Sequence, residues 1–361
     1  METPTPCLIL DAARVRRNHA RLATYAAAHG LRLRPHAKTH KSLEIAALQL
    51  GTPETIGLTV AKCGEAEVMA AACGDLLVAY PVVDEQRSAR LAVLTRDHTI
   101  RMAFDSEAAA AALSSSASHA GCIIGALVDL DVGFHRTGVQ SAAAALQLAQ
   151  VIERFPGLRL DGLMIYPGHI GGPSDEQVRD LAQVDAILSE VMDRWRRLGL
   201  PLPIVSGGST PTVYQSHLIK GQTEIRSGTY IFQDMNGVHG GYAALDDCAA
   251  TVLCTVVSNA VPGQVVIDAG SKTLTSDRCW AALDSGFGHV VEYPTARIVK
   301  LTEEHGQIDI RDCDRAPLLG ERIHVIPNHI CPCVNLHQTS YWQEPGEPPR
   351  LLRIDARGMV I

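Results

Sequence analysis

The stretch Arg34-Pro35-His36-Ala37-Lys38-Thr39-His40-Lys41 sets one lysine among other cations and two histidines, directly after an apolar, strand-like run. Neighbouring positive charge and partial burial disfavour an ammonium form, so Lys38 reads as a nucleophile toward an aldehyde, with a solvated basic loop as the alternative. His36 and His40 lie four residues apart and offer a second alternative, a helical metal pair. Farther along, Ser206-Gly207-Gly208-Ser209-Thr210-Pro211-Thr212 and Arg226-Ser227-Gly228-Thr229-Tyr230 present hydroxyls and exposed backbone N–H groups, which together suit a phosphate. An aldehyde-seeking lysine facing a phosphate site points to pyridoxal 5'-phosphate. Gly208, Ser209, Thr210, Gly228, Thr229 and Tyr230 are the candidate contacts to that cofactor.

Two other stretches supply side chains, Asp131-Val132-Gly133-Phe134-His135-Arg136-Thr137-Gly138 and Tyr166-Pro167-Gly168-His169. Arg136 suits a charge-assisted bond to a phenolate oxygen, Tyr166 suits stacking on or hydrogen bonding to a ring, and His169 suits proton transfer. Near the end of the chain runs Pro327-Asn328-His329-Ile330-Cys331-Pro332-Cys333. In extended backbone, residues two apart face the same way, so His329 and Cys331 are placed to bind one ion, with Cys333 next in the row. A thiolate with an imidazole favours zinc over magnesium or calcium, and two ligands leave the sphere open, as a catalytic ion requires.

These residues need a scaffold that brings them together. From about residue 30 to 230, short runs rich in branched apolar side chains alternate with helical composition. Eight strands are expected: Leu31–His36, Ile56–Val60, Leu76–Ala79, Thr99–Phe104, Cys122–Leu130, Leu160–Tyr166, Pro203–Ser206 and Thr223–Arg226. Eight parallel strands separated by helices make an α/β chain with a closed (β/α)8, TIM-type barrel, whose active site lies at the carboxyl ends of the strands. A doubly wound open sheet is the alternative. After about Gly240 the texture changes to short alternating runs, Thr251–Ser258, Gln264–Asp268, His289–Leu301, Gln307–Ile310 and Arg322–Ile326, which read as a C-terminal β domain. The expected boundaries are 11–240 for the barrel and 241–361 for the β domain, with residues 1–10 joining the latter through the strand-like Cys7-Leu8-Ile9-Leu10.

Composition narrows the function classes. With 361 residues, 46% of them hydrophobic, the chain can bury a large core and is not disordered. A formal charge of -7 gives no electrostatic reason to expect nucleic acid or an anionic membrane as partner. The window Ala108 to Val128 lacks charged residues, but Ser114-Ser115-Ser116, His119 and Gly121 interrupt it, so it reads as helix, turn and buried strand rather than a membrane span. Met1-Glu2-Thr3-Pro4-Thr5-Pro6 has neither the basic start nor the apolar stretch of a secretory signal, and a cytoplasmic protein with its scattered cysteines reduced is expected.

The motifs around Lys38, Tyr166-Pro167-Gly168-His169, Ser206-Gly207-Gly208-Ser209-Thr210 and Pro327-Asn328-His329-Ile330-Cys331-Pro332 together resemble the D-threonine aldolase and D-serine dehydratase family. These are fold-type III pyridoxal-phosphate enzymes with an alanine racemase-like barrel. The resemblance implies Lys38 as the Schiff-base lysine, Arg136 near the cofactor phenolate, and Thr210, Gly228 and Thr229 at its phosphate. It also implies a homodimer and a divalent metal at His329 and Cys331, either zinc or manganese, with magnesium as a further option. Lys272 is the rival for the Schiff base, and Arg226 is the ring-nitrogen partner by analogy with alanine racemase. The substrate implied is a small D-β-hydroxy-α-amino acid. D-threonine aldolase is the expected activity, with His169 or a metal-bound water as base. Cys331 stands where the aldolases carry an aspartate, as it does in the dehydratases, so dehydration to a keto acid and ammonia is the alternative. A non-catalytic pyridoxal-phosphate carrier and a metal-dependent hydrolase on the same barrel are the readings from other classes.

Overall fold

A computed structural model describes residues 3–361; Met1 and Glu2, part of the stretch read for a signal, lie outside the described residues. The chain divides into two compact units. One comprises residues 21–38, 43–228 and 359–361, and the other residues up to 20, 39–42 and 229–358.

The first unit holds eight parallel strands in a single sheet. In chain order they are Arg32–Leu33, Leu58–Val60, Asp75–Val78, Thr99–Phe104, Ile124–Leu130, Leu158–Ile165, Ile204–Gly207 and Glu224–Ile225. Arg32–Leu33 pairs with Glu224–Ile225, and parallel bridges Leu33 to Thr55 and His36 to Thr59 join the first strand to the second, so the barrel closes. Helices alternate with the strands, and three start on side-chain caps: Asp84, Ser106 and Ser141 accept from the N–H groups of Arg87, Ala109 and Ala144. The uncharged window resolves into helix Glu107–His119 and strand Ile124–Leu130, as expected. Among the described residues no helix is long and apolar enough to cross a membrane.

Inside the barrel, Leu77, Ala103, Leu127 and Met164 form an apolar layer, edged by Ala79 and Ile204. The layer nearer the amino ends of the strands is ionic. Arg34, 1% exposed, donates to Glu224 at 2.9 Å and to Asp75 at 2.6 Å. Arg101 pairs with the same Asp75 and, at 2.9 Å, with Asp161, which also takes Arg159 at 2.6 Å. Three guanidiniums and three carboxylates thus satisfy one another where hydrocarbon fills most barrels. The strand Leu158–Ile165 gains a residue against its neighbour at this level, and Gly162 sits there at φ 138 with the carbonyl of Ile204 where a Cβ would stand.

The second unit is built on a nine-stranded sheet. Cys7–Asp11 runs antiparallel to Ala250–Ser258 and parallel to Thr339–Gln343, so the first strand of the chain lies inside this sheet. The unit begins earlier after the barrel than the expected boundary at 240 and also takes the start of the first helix, Ala12–Ala28. Side chains explain this: Asn18 donates to the carbonyls of Ile231 and Asp247, and His19 bonds the hydroxyl of Tyr230. Phe232 and Pro327 carbonyls accept from Ala249 and Met235.

The ionic layer makes a stability prediction. Glu224→Gln leaves the buried Arg34 with half its counter-charge, and loss of a buried partner costs about 3 kcal/mol. A urea titration is expected to show a clearly lowered midpoint; an unchanged midpoint contradicts the account.

Candidate active site

Lys38 lies on the turn that follows the first barrel strand. Its backbone is fixed from three sides: Lys38 N–H donates to Nδ1 of His36 at 3.4 Å, Ala37 N–H to Thr59 O at 2.8 Å, and His36 N–H to Ser227 O at 3.1 Å. The half-buried ammonium itself has no hydrogen bond or ion pair among the described residues. The crowd of cations expected around it is absent for a physical reason. Arg34 is neutralised in the ionic layer, and the buried Lys41 donates to Ala356 O at 3.4 Å within the sheet unit. The His36 and His40 pair also loses its premise, because residues 37–40 form turns rather than a helix.

The loops after the seventh and eighth strands are tied together. Ser227 Oγ donates to Ser209 O at 2.9 Å, Arg226 N–H donates to Gly207 O at 2.8 Å, and Ser209 Oγ meets Thr212 Oγ1 at 2.9 Å. Gly208 takes φ 94, a left-handed conformation in which glycine is unstrained. The backbone N–H groups of Gly208, Ser209, Thr210, Ser227 and Gly228 find no acceptor among the described residues, although Ser209 and Ser227 are each only 3% exposed. Buried N–H groups are almost always paired, so unpaired ones on two loops bonded to each other mark the place of an anion. This donor set fits a phosphate, and Lys38 follows the strand that pairs with Glu224–Ile225.

The hydroxyls of two expected contacts have partners within the sheet unit. Tyr230 is 1% exposed and its hydroxyl bonds Nδ1 of His19 at 3.0 Å, inside the sheet unit. Thr229 turns its hydroxyl to Sγ of Cys331 at 3.5 Å. A short helical turn, Thr229–Ile231, begins straight after Gly228.

The loop after the fifth strand presents Arg136, whose guanidinium carbon lies 4.8 Å from the ring centre of Tyr166 and 5.0 Å from that of Phe134. The two rings meet edge to face at 5.2 Å, so Arg136 and Tyr166 form one assembly. Asp131 shapes the loop by accepting from Gly133 and His135 N–H at 3.0 Å each. Burial works against its charge, but those two N–H groups prevail and hold its carboxyl down to about 2. The imidazole of His169 lies on Gly133, where a Cβ would stand 2.9 Å from Cε1 and Nε2. Asp129, at the end of the fifth strand, accepts from Thr137 Oγ1 at 2.8 Å, and burial lifts its carboxyl to about 6. Arg226 donates to Ile165 O at 2.7 Å, and its Nε has no partner among the described residues; burial lowers its affinity for a proton.

In the sheet unit His329 caps the start of helix Ile330–Leu336, so the segment is helical where extended backbone was expected. Pro332 permits this because the first turn of a helix has no use for its missing N–H. Cys333 consequently faces inward, with Sγ 3.2 Å from Thr273 O and no exposure, and is not a third ligand. Nδ1 of His329 bonds Oδ2 of Asp277 at 2.7 Å. Burial disfavours the imidazolium, but Cys331, Asp234 and Asp277 outweigh it and raise His329 to about 9. Asp234 accepts the first helical N–H, that of Ile330, at 3.0 Å. The donor set of one nitrogen and one sulfur, backed by a carboxylate on the second ring nitrogen, fits a zinc-like ion held by two protein ligands. Among the described residues no group of three or more such ligands occurs.

Asp277 and Asp234 escape a sequence reading because each acts on a partner remote in the chain and neither stands in a recurring pattern. Backbone strain is a trace they leave in the structure. Among the described residues, four non-glycine residues take positive φ, Lys41, His135, Gln233 and Thr275, each within three positions of Lys38, Arg136, Asp234 or Asp277.

Comparison with known proteins agrees with this layout. Residues 10–236 match the alanine racemase N-terminal domain, and residues 249–342 match a putative serine dehydratase domain. The chain is 33% identical to D-threo-3-hydroxyaspartate dehydratase of Delftia sp. (strain HT23), over 91% of this chain and 90% of that protein. The crystal structure of D-threonine aldolase from Filomicrobium marinum superposes with a TM-score of 0.91 at 29% identity, covering 99% of this chain and 97% of that one. A cysteine-to-alanine variant of D-threo-3-hydroxyaspartate dehydratase, in its metal-free form, superposes with a TM-score of 0.90 at 28% identity, covering 97% of both chains.

Asp129 yields a pH prediction. Its folded carboxyl holds a proton up to about pH 6, whereas an unfolded one releases it near 3.8. Between those values the native state binds the extra proton, so stability falls as pH rises, and the deficit is complete above about pH 6. Asp129→Asn removes a penalty of at most about 3 kcal/mol. Melting curves are expected to show the variant gaining on the parent protein at pH 7.5 and losing that advantage by pH 4; a gain independent of pH contradicts the assignment.

Proposed function

Because the chain belongs to the D-threonine aldolase and D-serine dehydratase family of pyridoxal-phosphate lyases, we propose that it cleaves D-β-hydroxy-α-amino acids, with D-threonine aldolase as its activity. The observation that carries the cofactor site is the set of five unpaired backbone N–H groups at Gly208, Ser209, Thr210, Ser227 and Gly228. Pyridoxal phosphate, when bound, supplies an electron sink for a bond broken at the α-carbon of the substrate. A divalent ion at His329 and Cys331 supplies a Lewis acid for the β-hydroxyl.

The chain's own residues divide the remaining work. Lys38 provides the amine for covalent attachment, its ammonium having no hydrogen bond or ion pair among the described residues. Arg136 holds its charge over the Tyr166 ring and provides donors for the phenolate oxygen. The loops at Gly208–Thr210 and Ser227–Gly228 anchor the phosphate, and Arg226 has a buried Nε donor with no partner among the described residues. His169, exposed at the rim and steadied by Gly133, accepts the proton of the β-hydroxyl, which permits cleavage of the Cα–Cβ bond to glycine and an aldehyde. The second reading is dehydration, in which Lys38 removes the α-proton and the hydroxyl leaves. Cys331 favours it, since a cysteine-to-alanine variant of D-threo-3-hydroxyaspartate dehydratase has a metal-free form. Family likeness supports a homodimer, and ten cysteines with no disulfide among the described residues support a reducing, cytoplasmic setting.

Product analysis decides between the two reactions. The purified protein with cofactor, a divalent metal and D-threonine is expected to yield glycine and acetaldehyde, and 2-oxobutanoate with ammonia would establish the dehydratase instead. A chelator is expected to abolish turnover while the cofactor absorbance persists. Full turnover after verified metal removal contradicts the roles given to His329 and Cys331.

A further inference from the structure

The metal pair consists of only two side chains, and each is engaged by residues that the sequence leaves unassigned to a metal. Asp277 accepts from Nδ1 of His329 at 2.7 Å, which leaves Nε2 as the ring nitrogen with a lone pair for an ion. The carboxylate is itself aimed. Asn328 Nδ2 donates to Asp277 O at 3.1 Å and to Gly286 O at 2.9 Å, and Asp277 N–H donates to Thr275 Oγ1 at 3.3 Å. Thr275 is β-branched and takes φ 72, a conformation that such residues avoid unless the surroundings impose it. On the sulfur side, Thr39 Oγ1 lies 3.2 Å and Thr229 Oγ1 3.5 Å from Cys331 Sγ.

We propose that Asp277, Thr39 and Thr229 are positioning residues for the ion, Asp277 by fixing the tautomer and orientation of His329 and the two threonines by donating hydrogen bonds to the Cys331 sulfur. The inference rests on the metal reading above and adds the groups that tune it. A metal-bound thiolate accepts hydrogen bonds and has no proton to give, so both hydroxyls become donors to it. Donors at sulfur withdraw electron density from the thiolate, and an anion on the far ring nitrogen makes imidazole a stronger ligand. Thr229 thereby serves the sulfur and not the phosphate loops. Thr39 and Thr229 directly follow Lys38 and Gly228 in the chain, so the two positions also end the segments that carry the lysine and the last phosphate donor.

Cobalt(II) titrated into metal-depleted, cofactor-loaded protein tests the proposal by affinity and by the sulfur-to-cobalt charge-transfer band. Asp277→Asn is expected to weaken binding roughly 10–100-fold, with Asp277→Glu recovering part of the loss. Thr39→Val and Thr229→Val are expected to shift the band, whereas Thr39→Ser, which keeps the hydroxyl, leaves it in place. An Asn variant with the affinity of the parent protein, or Val variants with an unmoved band, overturns the proposal. Failure of the parent protein itself to bind an ion overturns the metal reading and this inference with it. Retained melting transitions for the Ser and Glu variants separate a role in tuning from a fault in folding.

Discussion

Five backbone N–H groups in two adjoining, largely buried loops have no acceptor among the described residues, and buried donors of this kind call for a ligand to receive them. The requirement for an anion at that place organises the barrel unit. It explains why Gly208 is left-handed, why Ser227 and Ser209 spend their polar atoms binding one loop to the other, and why His36 hangs its backbone on Ser227. The same bond to Ser227 sets the turn on which Lys38 stands. The phosphate donors and the lysine are therefore parts of one hydrogen-bonded rim.

The amino-end layer of the barrel complements that rim. A ring of paired guanidiniums and carboxylates is costly to desolvate and earns its place by demanding one register. Arg34 reaches Glu224 and Asp75 only if the first, third and eighth strands are correctly aligned. Alignment at this end fixes the opposite ends, where the lysine, the Arg136 and Tyr166 assembly, and the phosphate loops emerge. Cations near Lys38 in sequence thus contribute to scaffold geometry and leave the amine itself unengaged.

Much of this architecture is legible in the sequence because burial imposes a pattern. Thr99–Phe104 and Arg322–Ile326 read with their observed limits, since uninterrupted apolar periodicity ends at charged or turn residues. The first barrel strand is shorter than its apolar run because Pro35 has no N–H to give to a ladder. The run His289–Leu301 splits into His289–Val290 and Arg297–Leu301 around Pro294, and Thr339–Gln343 and Arg350–Arg353 go unread, being short and partly exposed. Site residues follow the same logic. Lys38, His329 and Cys331 stand in dense local motifs, whereas Asp277 reaches His329 across 52 residues with nothing local to announce it. Cys333 and Tyr230 have plausible spacing, but a helix turn and a buried hydroxyl bond send them elsewhere.

Attachment of the cofactor requires an amine, and Lys38 is the residue proposed to supply it. Borohydride reduction of the cofactor-loaded protein, followed by peptide mass spectrometry, locates the residue to which pyridoxal phosphate is attached. The account predicts a single modified peptide with the label on Lys38. A label on Lys272, which the structure pairs with Glu304 at 2.6 Å on an exposed surface, or no label at all, would contradict it.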